Sequence, residues 1–276
     1  MVKVRIESPD GPLEAVVLSR PPKDLPAQLP STWSEMPDLD SLHREWGMLE
    51  SFLRSRFETY VVDIASADLY DAMFIRDIAC VIGDYLLLTK SGVEHRSGEH
   101  DAACRAFVEA GIGRWPWAEW SGFCEGADVL PVSEREWLIG VGARTDEAGA
   151  RYVMQWASSQ DVQISTVGKE GPSVPQHLLG GNRVVGGVLY TRRDVERIPW
   201  DGPVCVLDHE EEVVQRYSMN WLTISKTEVL MADDCPDTKS LLEANGVNVN
   251  TLPMGEIRKL EGGFACATLP IRRGSA

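Results

Sequence analysis

The chain has few of the features that recruit metals, membranes or nucleic acids. None of its six cysteines, at positions 80, 104, 124, 205, 235 and 266, shows Cys-x-x-Cys spacing, and its five histidines, at 43, 95, 100, 177 and 209, form no His-Glu-x-x-His arrangement. A structural zinc site therefore has no support, and no metal is expected. Positive charge is scarce: 27 Lys plus Arg stand against 42 Asp plus Glu, a formal net charge of -15. That balance disfavours binding to phosphate backbones or anionic lipid and favours the approach of cations. No apolar run reaches the roughly 18 residues of a membrane span, and the opening Met1-Val-Lys-Val-Arg-Ile-Glu7 has no apolar signal core. The expectation is a soluble cytoplasmic protein with reduced thiols.

What is present is enough apolar residue, 43% of 276, to bury a sizeable core. After strand candidates at Val2 to Glu7 and Glu14 to Ser19 comes a proline-rich connection, Pro21 to Pro37, which must run over the surface as a plain loop or a cover for a site. From Leu42 a pattern recurs. A helical stretch to Phe57 leads to Tyr60 to Ile64, and then to two β-rich runs, Ile78 to Ile82 and Tyr85 to Thr89, split by Gly83-Asp84 in the manner of a hairpin. Similar runs follow: a helix from Glu99 to Ala110, strands at Asp128 to Val132 and Trp137 to Val141, a helix from Asp146 to Ser158 and a strand from Val162 to Thr166. The series ends with pairs around Gly186-Gly187 and between Trp221 and Met231, a helix from Cys235 to Asn245, a strand from Val247 to Thr251 and a closing run from Phe264 to Ile271. Units of this size cannot bury their own apolar faces, so stacked or ring-closed repeats are expected. Only the early proline segment has a linker's composition, which predicts one domain over residues 1–276.

Several residue sets carry chemistry. In Glu261-Gly-Gly-Phe-Ala-Cys266 two glycines precede a cysteine, letting the backbone turn tightly and present the thiol at a strand end; a buried core cysteine after a turn is the other reading. His177 lies just before a strand pair in a chain with few histidines, as an acid/base group or a plain surface residue. Asp71, Asp77, Glu125 and Asp128 precede or enter hairpins at matching places. They would converge if the units surround an axis, although acids are also ordinary turn residues.

Six motifs occur in one order: Phe74-Ile-Arg-Asp77, Glu125-Gly-Ala-Asp128, Gly142-Ala-Arg144, His177-Leu178, Tyr217-Ser-Met-Asn220 and Arg258-Lys-Leu-Glu-Gly-Gly-Phe-Ala-Cys266. Together they resemble the guanidino-group-modifying superfamily of dimethylarginine dimethylaminohydrolase, arginine deiminase and the amidinotransferases. The resemblance runs from about Asp71 to the C-terminus. It implies an α+β pentein, an α/β propeller of five ββαβ units around a pseudo-fivefold axis with the site in the central channel. It further implies Cys266 as nucleophile, His177 as acid/base, and Glu125 and Asp77 as the acids that hold the guanidinium. Asp71 falls where the hydrolases carry an acid six positions earlier. Arg96 and Arg144 fall on the partners of the substrate's α-carboxylate, and Asp128 belongs with the substrate-binding set.

The chemistry such a site needs follows from the groups. A guanidinium carbon is a poor electrophile, so two carboxylates should clamp its N–H groups and turn the carbon toward sulfur. A thiol near pKa 8.5 is mostly protonated at neutral pH, and a bound cation beside it favours the thiolate. Attack by Cys266 and proton delivery by His177 leave a covalent thiouronium, which water then hydrolyses without any cofactor.

Two positions depart from relatives. Arg76 stands where the dimethylaminohydrolases have an acid, and Leu179 stands where the deiminases carry an Asp. The second departure predicts weaker preference for unmodified arginine. The tryptophans of Arg114-Trp-Pro-Trp-Ala-Glu-Trp120 either wall the cation or pack helix on strand. The expected partner is a small cationic guanidine, with the protein a monomer or homodimer. Amidino transfer to an amine, or a non-catalytic pentein binding module, are the competing readings.

Overall fold

The computed structural model describes residues 2–112, 120–169, 176–195 and 198–275. In chain order its elements begin with β1 (Arg5–Ile6), β2 (Leu13–Ser19), α1 (Leu39–Arg54), β3 (Glu58–Val62), α2 (Ile75–Ile78), β4 (Ala79–Ile82), β5 (Tyr85–Leu88) and α3 (Glu99–Glu109). They continue with β6 (Val129–Pro131), β7 (Glu136–Val141), α4 (Glu147–Ser158), β8 (Gln163–Gly168), β9 (Asn182–Val185), β10 (Val188–Arg192) and β11 (Val204–Leu207). The chain ends with β12 (Leu222–Ser225), β13 (Glu228–Ala232), α5 (Pro236–Ala244), β14 (Asn248–Leu252), α6 (Gly255–Lys259), α7 (Phe264–Ala267) and β15 (Thr268–Arg273).

Among the described residues the strands form five sheets, ordered β1-β15-β2-β3, β4-β5, β6-β7-β8, β11-β10-β9 and β12-β13-β14. Three of them share one construction: an antiparallel pair, then a helix, then a third strand parallel to the second. This holds for β6, β7, α4 and β8, for β12, β13, α5 and β14, and for β15, β2, α1 and β3. A helix fits there because parallel neighbours need a long crossover. The β4-β5 sheet has two strands among the described residues. Strand β11 pairs parallel with β10, and no helix lies between them among the described residues.

Local chemistry sets the boundaries. The proline-rich connection has no regular structure and ends on Asp38, whose carboxylate accepts from Ser41 N at 2.8 Å and caps α1. One face of α1 buries Leu42, Trp46, Leu49 and Leu53, at spacings of four, three and four. Each contributes up to about 1.5–3 kcal/mol on burial. Asp146 caps α4 in the same way, accepting from Gly149 N at 2.7 Å, and the Ala150, Val153 and Ala157 face packs inward.

Two expectations need correction. The run from Val2 to Glu7 yields only the two-residue β1. The closing run from Phe264 divides into the helical turn α7 and then β15, so Cys266 sits on a helical turn rather than at a strand end. The turn forms because Asn220 binds its backbone: Asn220 O accepts from Ala265 N at 3.1 Å, and Asn220 Oδ1 from Cys266 N at 3.1 Å. Of the tryptophan-rich segment, residues 114–119 lie outside the described residues. Trp120 stacks on Tyr152 of α4 at 4.5 Å between ring centroids, a packing contact.

Candidate active site

Loops at the sheet ends surround a cavity of about 430 Å³, whose wall includes Cys266, His177, Asp77, Asp71, Arg96 and Arg144. Side chains far apart in sequence are brought together here.

Cys266 is placed by close approach. A Cβ on Gly262 would lie 2.4 Å from the Phe74 ring and one on Gly263 2.8 Å from Asn220 Cβ, so the Gly-Gly pair lets the turn seat against both. Phe74 of the first motif thus supports the cysteine of the last. Asn220 Nδ2 donates to the sulfur at 3.0 Å. Burial and then Asp77 push the thiol's pKa up, outweighing Asn220, Gly263 and Arg183, so the resting group is a thiol. Tyr217 and Glu261 hold positive φ values of 52° and 64° on the cavity wall and are joined by a Tyr217 hydroxyl to Glu261 carboxylate hydrogen bond. Strain of that kind collects where surrounding structure fixes a site. Asn220 stood within a recognised motif, yet its contact with Cys266 was not foreseen.

Asp77, 5% exposed, accepts from Arg96 Nη1 through Oδ2 at 2.8 Å, while its Oδ1 has no hydrogen-bond partner among the described residues. A buried carboxylate oxygen without a donor costs about 1–3 kcal/mol or more, and an incoming N–H would recover it. Oδ1 lies 3.8 Å from His177 Nδ1. Arg96 lines the cavity, and its buried Nη2 has no hydrogen-bond partner among the described residues. Its Nε binds Glu99 at 2.9 Å and its Nη1 stands 3.7 Å from Glu125, so it anchors acids in the wall.

Glu125 also differs from expectation. It is fully buried, outside the cavity lining, and its oxygens are taken by His177 Nε2 at 2.5 Å, Arg144 Nη1 at 3.3 Å and the Ser91 hydroxyl. It therefore meets His177 from outside the lining, with no oxygen left open to the cavity. Burial would raise its pKa, but Arg96, His177 and Arg144 together hold it well below the usual carboxylate range. For His177, burial works against the proton, yet Asp77, Glu125 and Asp128 outweigh it and raise the pKa above 6.5. Asp128 is likewise set back from the cavity. It lies outside the cavity lining and accepts from Thr145 Oγ1 at 2.7 Å, Lys169 Nζ at 2.5 Å and Leu178 N at 2.9 Å, pinning the His177 loop.

Asp71 lines the cavity with both oxygens occupied, by Trp33 Nε1 at 2.7 Å and His95 Nε2 at 2.8 Å. Trp33 comes from the proline-rich connection, which this bond ties to the site. Arg144 reaches the cavity with Nη2 bound to Gln176 Oε1 at 2.6 Å. Leu179 lines the wall as an apolar surface. Among the described residues, Asp77, Glu125 and His177 offer ligand atoms within 4.8 Å of one another. Arg96, bonded to Asp77 and close to Glu125, already puts a cation there and would repel a metal ion.

Gly126 shows why the Glu-Gly-x-Asp motif needs its glycine. A Cβ there would lie 2.4 Å from Ala79 O and 2.6 Å from Arg76 O, both backbone atoms that cannot move alone. Gly126→Ala is expected to destabilise the protein by about 3 kcal/mol, read by urea denaturation. A loss below 0.5 kcal/mol would show that the two segments are not held this closely.

The fold and the site define an enzyme class built around a cysteine, a histidine and buried acids, and the comparisons with known proteins agree. The arginine deiminase family model matches residues 58–169 and 206–273. A dimethylarginine dimethylaminohydrolase from Streptomyces coelicolor is 26% identical over 227 residues, covering 78% of this chain and 80% of that protein. Among solved structures, the Pseudomonas aeruginosa dimethylarginine dimethylaminohydrolase complexed with citrulline has a TM-score of 0.77 at 19% identity, covering 94% of this chain and 99% of that one. An amidinotransferase of saxitoxin biosynthesis from Microseira wollei has a TM-score of 0.80 at 16% identity, covering 99% and 98%. The chain belongs to the arginine deiminase family, within the pentein superfamily and similar to the dimethylarginine dimethylaminohydrolases. It is a hydrolase acting on carbon–nitrogen bonds. Among the described residues no helix is long and apolar enough to cross a membrane.

Proposed function

We propose that the protein hydrolyses a guanidine, arginine or an N-substituted arginine derivative, through a thiouronium on Cys266, releasing ammonia or an amine and a citrulline-type product. The observation that carries this reading is that one cavity is lined by the Cys266 thiol, the His177 imidazole and the open Oδ1 of Asp77. We further read the five sheets as the five units of a pentein ring about that cavity, with residues 1–276 as one enzyme domain.

In this reading a guanidinium N–H donates to Asp77 Oδ1, turning the carbon toward sulfur. The cation beside the thiol lowers the cost of its ionisation, which burial otherwise opposes. Cys266 gives its proton to solvent as the cation binds, the thiolate bonds to the guanidinium carbon, and protonated His177 gives its proton to the leaving nitrogen as the C–N bond breaks. Neutral His177 then takes a proton from water, whose oxygen adds to the thiouronium carbon. Collapse expels the Cys266 thiolate and frees the urea-type product. Glu125, held by Arg96 and Arg144, keeps the imidazole oriented and charged. Arg144, the arginine with the larger access to the cavity, serves as the partner of the α-carboxylate, and apolar Leu179 accommodates a substituent on the guanidine.

The test is a panel of guanidines, unmodified arginine and N-methylated arginines included, followed for amine, ammonia and citrulline-type product. The expected result is turnover of at least one, with methylated arginines preferred to arginine. If mass spectrometry instead finds the amidino group on an added amine and no urea-type product, the protein is a transferase. Thiol labelling without any turnover or transfer would indicate a binding module.

The pH profile tests the role of Glu125. Because His177 must be protonated to release the amine, kcat falls as pH rises through its pKa, which lies above 6.5. Glu125→Gln removes two of the influences that raise that pKa, so the alkaline limb should move to lower pH and kcat at neutral pH should drop roughly tenfold to a hundredfold. An unmoved limb would assign the titration to another group.

A further inference from the structure

Behind the turn that carries Cys266 lies a second cavity, of about 70 Å³. Arg76, Leu179, Arg183 and Ala265 line both cavities and form the partition between them. Among the described residues, the wall of the smaller one includes three arginines, Arg76, Arg183 and Arg273, and no aspartate or glutamate. In a chain with 42 acidic and 27 basic residues, composition does not account for an all-cationic interior.

The hydrogen-bonding groups of this wall are equally one-sided. Three buried N–H donors, Arg76 Nε, Trp137 Nε1 and Trp221 Nε1, have no partner among the described residues. Trp137 is 3% exposed and Trp221 0%. Arg183 gives Nε to Met219 O at 3.0 Å, and Arg273 gives its terminal nitrogens to the carbonyls of Gly11, Ile224 and Thr223. These partners are neutral. Burial, joined by repulsion from Arg76, lowers the pKa of Arg183 to about 10 and that of Arg273 to about 9.

Each unmet buried donor costs about 1–3 kcal/mol, and the acids that act on these cations, Asp77 on Arg76 and Asp10 on Arg273, are not in the cavity wall. Water would satisfy the donors and leave the charge in place; an anion answers both. One water needs roughly 10–15 Å³ of such volume, so the cavity has room for a small anion and a water or two.

We propose that this cavity binds a small monovalent inorganic anion, of halide or nitrate size, held by Arg76, Arg183 and the indole N–H groups of Trp137 and Trp221. Occupancy also acts across the partition. Arg76 and Arg183 are the cations whose fields favour a thiolate at Cys266, and an anion between them and Arg273 offsets those fields. Bound anion therefore slows reactions that need the thiolate. This second part rests on the proposed role of Cys266, whereas the anion site does not.

The site is tested by soaking crystals of the protein in bromide and measuring anomalous scattering, with a peak expected between the Trp137 and Trp221 side chains. At constant ionic strength, replacing gluconate by bromide should raise the thermal midpoint. That rise should be lost in Trp137→Phe, which stays aromatic and removes the N–H together with the five-membered ring, and Trp221→Phe provides a second variant. Water density alone, with equal midpoints in both salts, overturns the site. Alkylation of Cys266 by N-ethylmaleimide, located by mass spectrometry, should slow about threefold to tenfold in bromide, the effect of a half to one pKa unit. Unchanged alkylation beside a clear bromide peak overturns the coupling to Cys266 but not the site. Failure of every guanidine to turn over would leave the bromide peak expected.

Discussion

Cys266→Ser is expected to lower guanidine turnover by about 10⁴-fold or more while leaving the midpoint of urea unfolding nearly unchanged. The serine is close in shape, lines the same cavity and can accept the Asn220 amide hydrogen bond seen at 3.0 Å, so folding is spared. Chemistry is not. A hydroxyl ionises far less readily than a thiol, and among the described residues no base is hydrogen-bonded to residue 266, because His177 is held by Glu125. A thiol can be ionised by the approaching cation; an alcohol there cannot. The measurement is steady-state product release, joined to mass spectrometry of enzyme quenched during turnover. Wild-type enzyme should carry a covalent adduct on the peptide containing Cys266, and the variant should carry none. A variant retaining a tenth of wild-type turnover would falsify covalent catalysis at this residue.

His177→Ala should reduce kcat for an amine-releasing guanidine by about 10²–10⁴-fold, the range for loss of a positioned acid/base group. The size of the loss should depend on the leaving group. An isothiourea analogue that expels a thiolate needs no proton at that step, so adduct formation on Cys266 should survive the substitution. Water attack still needs the base, so the adduct should accumulate. Rapid-quench mass spectrometry distinguishes this outcome from simple misfolding, which would abolish both steps. Equal losses for adduct formation with both substrates would reassign His177 to a positioning role. The carboxylates around His177 make the substitution disruptive, since Glu125, Asp77 and Asp128 lose their shared cation. Stability should therefore be measured beside kcat, with His177→Gln as a milder second variant.

These expectations show which parts of the site were readable before any coordinates. Cys266, His177 and Asp77 lie in short motifs whose local backbone demands are visible as residues: glycines where Phe74 and Asn220 press close, and an acid entering a hairpin. The helices were equally readable, because an apolar stripe at helical spacing and a capping Asp are local features, as in α1 and α4. Glu125 and Asp128 were expected at the substrate and lie outside the cavity lining, whereas Arg96 lines it. The orientation of these two acids was not legible, because the bonds that take up their oxygens come from residues 52 and 50 positions away in sequence. The same limit applies to β15, which completes a sheet with β2 from the opposite end of the chain.

By itself, then, the amino-acid sequence determined the repeating strand and helix pattern, the acidic charge balance and the short motifs that carry Cys266, His177 and Asp77, since periodicity, net charge and turn chemistry are properties of neighbouring residues. Only the tertiary structure decided which carboxylate oxygen stays open, at Asp77, and which are consumed, at Glu125 and Asp128. It alone gathered three arginines and two unbonded indole N–H groups around one cavity. The physical reason is that hydrogen-bond satisfaction and desolvation depend on what surrounds an atom in space, and that is set by the packing of whole sheets.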